Sequence, residues 1–163
     1  METPLDNFTK NFNILTRFFN IFFYIFENLT LLTNLNFINQ SYRPHIEISM
    51  SLSWLLAKIF HISYYAGILK KTYSDEEDLR NMEVGKFKVK DIYEKLKILS
   101  KIRIFLLMGL VKNFGDFLFS CYELKLFENF LGTKTMKLIV GITGFLSALI
   151  NLYQMFSDDP HLK

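Results

Sequence analysis

The chain of 163 residues is poor in the residues that build sites and turns: one Cys, three Pro, three His, one Trp and seven Gly. A single cysteine, Cys121, excludes an intrachain disulfide framework and a cysteine-based zinc site. It reads as a small apolar packing residue. His45, His61 and His161 lack metal-ligand spacing. There is no phosphate-cradling glycine loop and no Gly-x-Ser-x-Gly elbow, so no nucleophile or base stands out. No catalytic, cofactor-binding or metal residue is assigned, and no enzymatic activity is expected. So few Gly and Pro argue against a sandwich or barrel, which needs many turns. A formal charge of +3 is too small for a nucleic-acid footprint, yet suits contact with an anionic membrane surface.

What the chain has is apolar length. Half of it is apolar and Phe occurs 18 times. From Leu138 to Ser157 it runs LIVGITGFLSALINLYQMFS without a charge. At about 1.5 Å per residue such a helix spans about 30 Å, the thickness of a bilayer's hydrocarbon core. Residues 7–38 repeat Phe8, Phe12, Leu15, Phe19, Phe22, Phe23, Phe26 and Leu29 at steps of three and four, with Lys10, Asn13, Arg17 and Asn20 opposite. That is an amphipathic helix, either interfacial or packed in a core. Residues 48–69 hold one Lys and one His and suit a membrane helix, interrupted only by Lys58.

Residues 70–103 are hydrophilic. Ser74-Asp75-Glu76-Glu77-Asp78 reads as a solvated loop or helix start, with Ser74 and Glu77 at capping-box spacing. Lys86, Lys88, Lys90, Lys97, Lys101 and Arg103 then accompany Ile92, Leu96, Leu99 and Ile102 on a basic amphipathic helix. This is a membrane-surface or partner-docking pattern, or a plain solvated face. A further membrane helix is expected over about 104–131, where Lys112 and Asp116 stand four apart and are able to pair. Gly132-Thr133 reads as its stop. In the last helix Gly141, Gly144 and Ala148 form a small-residue face of the kind that lets membrane helices approach closely. The expectation is a single all-α membrane domain over 1–163, with four or five helices and at least one transmembrane span.

Two stretches resemble the peroxin-11 family. One is Leu110-Val111-Lys112-Asn113-Phe114-Gly115-Asp116; the other runs from Val140-Gly141-Ile142-Thr143-Gly144 to Leu152-Tyr153. Glu27-Asn28-Leu29-Thr30-Leu31-Leu32 and Ser53-Trp54-Leu55-Leu56 resemble earlier elements of the family in the same order. The resemblance implies an integral protein of the peroxisomal membrane, or of a related microbody such as a glycosome. It implies a role in elongating that membrane before fission, with an amphipathic helix wedged into one leaflet. Residues 7–26, through Phe12, Leu15 and Phe19, fit the wedge, and so does the basic helix at 86–103. The resemblance implies both termini in the cytosol, whereas Lys134 and Lys137 by their charge would place the start of the last helix there. Implied partners are membrane lipids, further copies of the chain and the organelle-division machinery, with no nucleic acid. From the residues alone, Lys58, Lys112, Asp116 and Glu123 leave open a small channel or transport role.

Overall fold

The computed structural model describes residues 4–81, 89–127 and 132–156. They form four helices: α1 (Pro4–Asn34), α2 (Arg43–Asn81), α3 (Val89–Glu123) and α4 (Thr133–Phe156), with a 3-10 turn at Gln40–Tyr42 before α2. No strand occurs among the described residues.

Several boundaries differ from the sequence expectation, each for a local reason. The first helix stops at Asn34 rather than 38. Asn36 takes a left-handed φ of 60°, Asn36 N donates to Thr33 O, and Phe37 N donates to Leu32 O. This is a Schellman cap, in which the chain reverses to satisfy the last carbonyls. The same device ends α3 at Glu123, not at 131: Lys125 has φ 56°, and Leu126 N donates to Cys121 O. Gly132, expected as a stop, instead opens α4. Its φ of 70° suits glycine, and its carbonyl accepts from Met136 N. The helix expected at 138–157 therefore begins earlier, at Thr133.

The described parts of the hydrophilic middle, 70–81 and 89–103, are helical. The acidic run Ser74–Asp78 lies inside α2, which continues unbroken to Asn81. No Gly or Pro interrupts residues 68–81, and solvated acids cost a helix little. Likewise the basic segment and the apolar one after it form one helix, α3. At about 1.5 Å per residue, α2 and α3 are about 58 and 52 Å long, far beyond a hydrocarbon core of about 30 Å. Their polar halves, 70–81 and 89–103, project from the apolar part as a stalk.

The helices run antiparallel in chain order. Phe8 and Thr9 of α1 meet Gly67 of α2, and Phe23 meets Trp54. Ser51 of α2 meets Glu123 of α3, and Glu76 meets Arg103. Each helix packs on its chain neighbours, with only incidental contact between non-neighbours. The result is an open row, not a closed bundle. Its surface of 11417 Å² exceeds the about 8,500 Å² expected of a compact monomer of 19.3 kDa. Among the described residues, buried polar residues outnumber buried apolar ones, while Ile14, Ile21, Phe114, Ile142 and Phe145 are each more than half exposed. Polar inside and apolar outside is the arrangement lipid demands. Three helices, α2, α3 and α4, are long and apolar enough to cross a membrane.

Candidate functional site

The chemistry of the row is concentrated in its seams. Lys58 on α2 and Asp116 on α3 face each other within the apolar belt, Nζ to Oδ2 at 2.8 Å, with side chains 9% and 22% exposed. The other carboxylate oxygen, Oδ1, accepts from Ser147 Oγ on α4 at 3.3 Å. Lys58 Nζ also lies 3.8 Å from the centre of the Trp54 ring, a cation–π contact. One carboxylate thus joins three helices. The expected Lys112–Asp116 pair on a single helix face is replaced by this long-range one. The reason is that Asp116 turns into the seam, where α2 supplies a cation that needs a partner.

One turn away, Asn113 is 2% exposed; its Nδ2 donates to Gly109 O at 2.7 Å, and its Oδ1 accepts no hydrogen bond of ordinary geometry among the described residues. Towards the near end, Ser51 Oγ donates to Glu123 Oε2 at 2.8 Å. In the stalk, Arg103 Nη1 donates to Glu76 Oε2 at 2.7 Å, Ser100 Oγ donates to Glu76 Oε1, and the guanidinium lies over the Tyr73 ring. These contacts fix the register of α2 against α3 along its whole length. Lys58 and Asp116 close on each other, and Glu123 accepts from Ser51.

Close helix approach comes from glycines the sequence pattern did not mark. A Cβ at Gly109 would stand 2.6 Å from the Tyr65 ring, and one at Gly115 would stand 3.1 Å from Thr143 O. Gly67 does the same for Thr9. Gly141 and Gly144 have nothing within 4 Å, and Ala148 is exposed beside them. The small-residue face therefore points away from α3, while Thr143 and Ser147 make the intramolecular seam.

The wedge residues divide. Phe12 and Phe19 pack on Phe60 of α2, with ring centres 5.7 and 5.5 Å apart. Leu15 is 37% exposed and points outward. The outward apolar face of α1 belongs to Ile14, Phe18, Ile21, Phe22 and Ile25. Of the basic residues, Lys86 and Lys88 lie outside the described residues. Lys90, Lys97 and Lys101 are exposed on the stalk, and Arg103 is engaged by Glu76. Among the described residues no group of His, Cys, Asp and Glu is able to hold a metal ion.

Residues 1–156 match the family described as Peroxisomal biogenesis factor 11 (PEX11). The chain belongs to the PEX11 family. No curated protein and no solved structure matches it. The match covers all four helices, so the row with its intramembrane ion pair is the form this PEX11 member takes. Membership places the chain among peroxisomal biogenesis factors, a family not known for enzymatic activity.

Proposed function

We propose that this chain resides in the peroxisomal membrane and elongates it ahead of fission. Membership in a peroxisomal biogenesis family and three helices fit to span a membrane support residence there. The observation that carries the shaping role is the construction of α1. It sits at the edge of the row, bound on one side to α2. One of its flanks is apolar, with Leu15, Phe18 and Phe22; the other carries Lys10, Asn13, Arg17 and Asn20, with Ile14 and Ile21 on the outward face between them. An edge helix of this kind settles where its polar flank reaches headgroups, and its apolar flank expands that leaflet. Expansion of one leaflet bends the bilayer. The wedge is thus assigned to Phe18 and Phe22 with Leu15, while Phe12 and Phe19 hold α1 to α2.

The start of α1, the stalk and the end of α4 share one end of the row. Lys10, Lys70, Lys71, Arg80, Lys90, Lys97 and Lys101 cluster there, which favours the cytosolic side. On that side the stalk is placed to meet anionic lipid or the division machinery. Self-association is assigned to the outward Gly141, Gly144 and Ala148 face, where a Cβ at either glycine would meet nothing within 4 Å among the described residues.

The test is expression in cells stripped of their own family members. The tagged whole chain should co-localise with a peroxisomal marker and lengthen the organelles. Phe18→Ser with Phe22→Ser should keep the location and lose the lengthening. Location elsewhere, or peroxisomes of unchanged shape with the whole chain, refutes the proposal.

A further inference from the structure

At the end of the row away from the stalk, three helix ends enclose an open cavity of about 800 Å³. Glu47, Ile48 and Ser51 come from the start of α2, Glu123 from the end of α3, and Leu124 and Lys125 from the cap after it. The apolar stretch of α2 begins at Ile48, and that of α3 ends just before Glu123. The cavity therefore lies at the rim of the apolar belt, the level of lipid headgroups for helices that span a membrane.

Its charges are arranged unevenly. Glu47 is held by Arg43, with Nε to Oε1 at 2.7 Å. Glu123 accepts only the neutral Ser51 hydroxyl among the described residues. A carboxylate so placed favours a cation able to donate hydrogen bonds. Lys125 faces the same space and favours an anion. Ile48 and Leu124 supply an apolar wall that leads toward the bilayer.

We propose that this cavity holds the headgroup of an aminophospholipid. The primary ammonium sits against Glu123 and Glu47, the phosphate against Lys125, and the acyl chains leave past Ile48 and Leu124. A primary ammonium offers three N–H donors to the carboxylates, as a lysine does, whereas a trimethylated one offers none. A purely anionic headgroup meets two carboxylates. A soluble amine leaves Lys125 and the apolar wall unused.

The experiment uses the whole chain, purified in detergent and offered an equimolar mixture of dioleoyl phosphatidylethanolamine, phosphatidylcholine and phosphatidylglycerol. Native mass spectrometry reads the lipid retained. The ethanolamine lipid should be retained about tenfold over the choline lipid, the low end for a charged hydrogen bond. Glu123→Gln keeps an acceptor for Ser51 and should remove most of that preference, whereas Lys125→Gln should lower retention of both lipids alike and keep their ratio. Circular dichroism of each variant should match the parent. Lys112→Gln, away from the cavity, should leave the preference intact. Equal retention of the two lipids, or a preference unchanged in Glu123→Gln, overturns the proposal. Displacement of the lipid by millimolar ethanolamine, which has neither phosphate nor acyl chains, also overturns it, because the site would then take a soluble amine.

Discussion

Breaking the Lys58–Asp116 pair from either side should cost unequal amounts. At 2.8 Å the two charges attract by about 6 kcal/mol at an effective dielectric constant of about 20. Most of that offsets the desolvation of both groups, so the net worth of the pair is small. Removing one partner is different, because it strands the other, at about 3–5 kcal/mol. Lys58→Met leaves Asp116, which is 22% exposed and still accepts from Ser147. Its cost should fall near the lower end. Asp116→Leu leaves Lys58, 9% exposed, with only the Trp54 ring beside it. Its cost should fall near the upper end, and Ser147 loses its acceptor as well. The double variant strands no charge and should lie within about 1 kcal/mol of the parent. Thermal unfolding of the chain in detergent reads this, at about 2–4 °C per kcal/mol for a protein of this size. Asp116→Leu should therefore lower the midpoint by more than about 10 °C, and the double variant should restore most of the loss. If the two single losses simply add in the double variant, the groups are not coupled and the central node is misread.

Three further outcomes follow from the same geometry. Leu146→Arg puts a charge on the outward face of α4 near its middle and should weaken insertion by about 2.5–3.5 kcal/mol, seen as release by alkaline carbonate; full retention would mean α4 is not an anchor. Gly115→Val meets Thr143 O and should cost about 1–3 kcal/mol in thermal unfolding, whereas Gly141→Val, with nothing within 4 Å, should leave the α3–α4 seam unchanged. Gly144→Leu should abolish crosslinked self-associated species in membranes while keeping hydropathy; unchanged crosslinking would show that this face meets lipid alone.

Helix content and the capacity to span a membrane were legible because both are local. Twenty uncharged residues from Leu138 and the three-and-four spacing of Phe in residues 7–26 each report on a single helix. The family was legible from Lys112, Asp116 and the small residues after Val140. What was not legible depends on which helix lies beside which. Asp116 has a cation four residues away and another 58 residues away, and only the packing of α2 on α3 decides for Lys58. The glycines show the same limit. Gly141 and Gly144 sit at a recognisable spacing but face outward, while isolated Gly109 and Gly115 make the close contacts. Isolated glycines carry no periodic signal. The acidic run at 74–78 shows a third limit, since a break in hydropathy marks where a helix leaves the membrane and not where it ends.

The row also explains how strongly each helix is held. Lipid is as apolar as a leucine side chain, so apolar contact between membrane helices brings no hydrophobic gain. What remains is packing and polar contact. The α2–α3 seam has three polar ties, at Glu123, Asp116 and Glu76, and the α3–α4 seam shares Asp116 through Ser147. The α1–α2 seam is built from rings: Phe12 and Phe19 on Phe60, and Phe23 on Trp54. Thr16, Thr30 and Thr33 of α1 turn their hydroxyls back to their own helix. The helices α2, α3 and α4 are thus locked to one another by charge, and α1 rests against them largely by shape. The α1–α2 seam is also the most extensive in the row, with Thr9 seated against Gly67, so α1 keeps its place by close packing along its length where α2, α3 and α4 add polar ties.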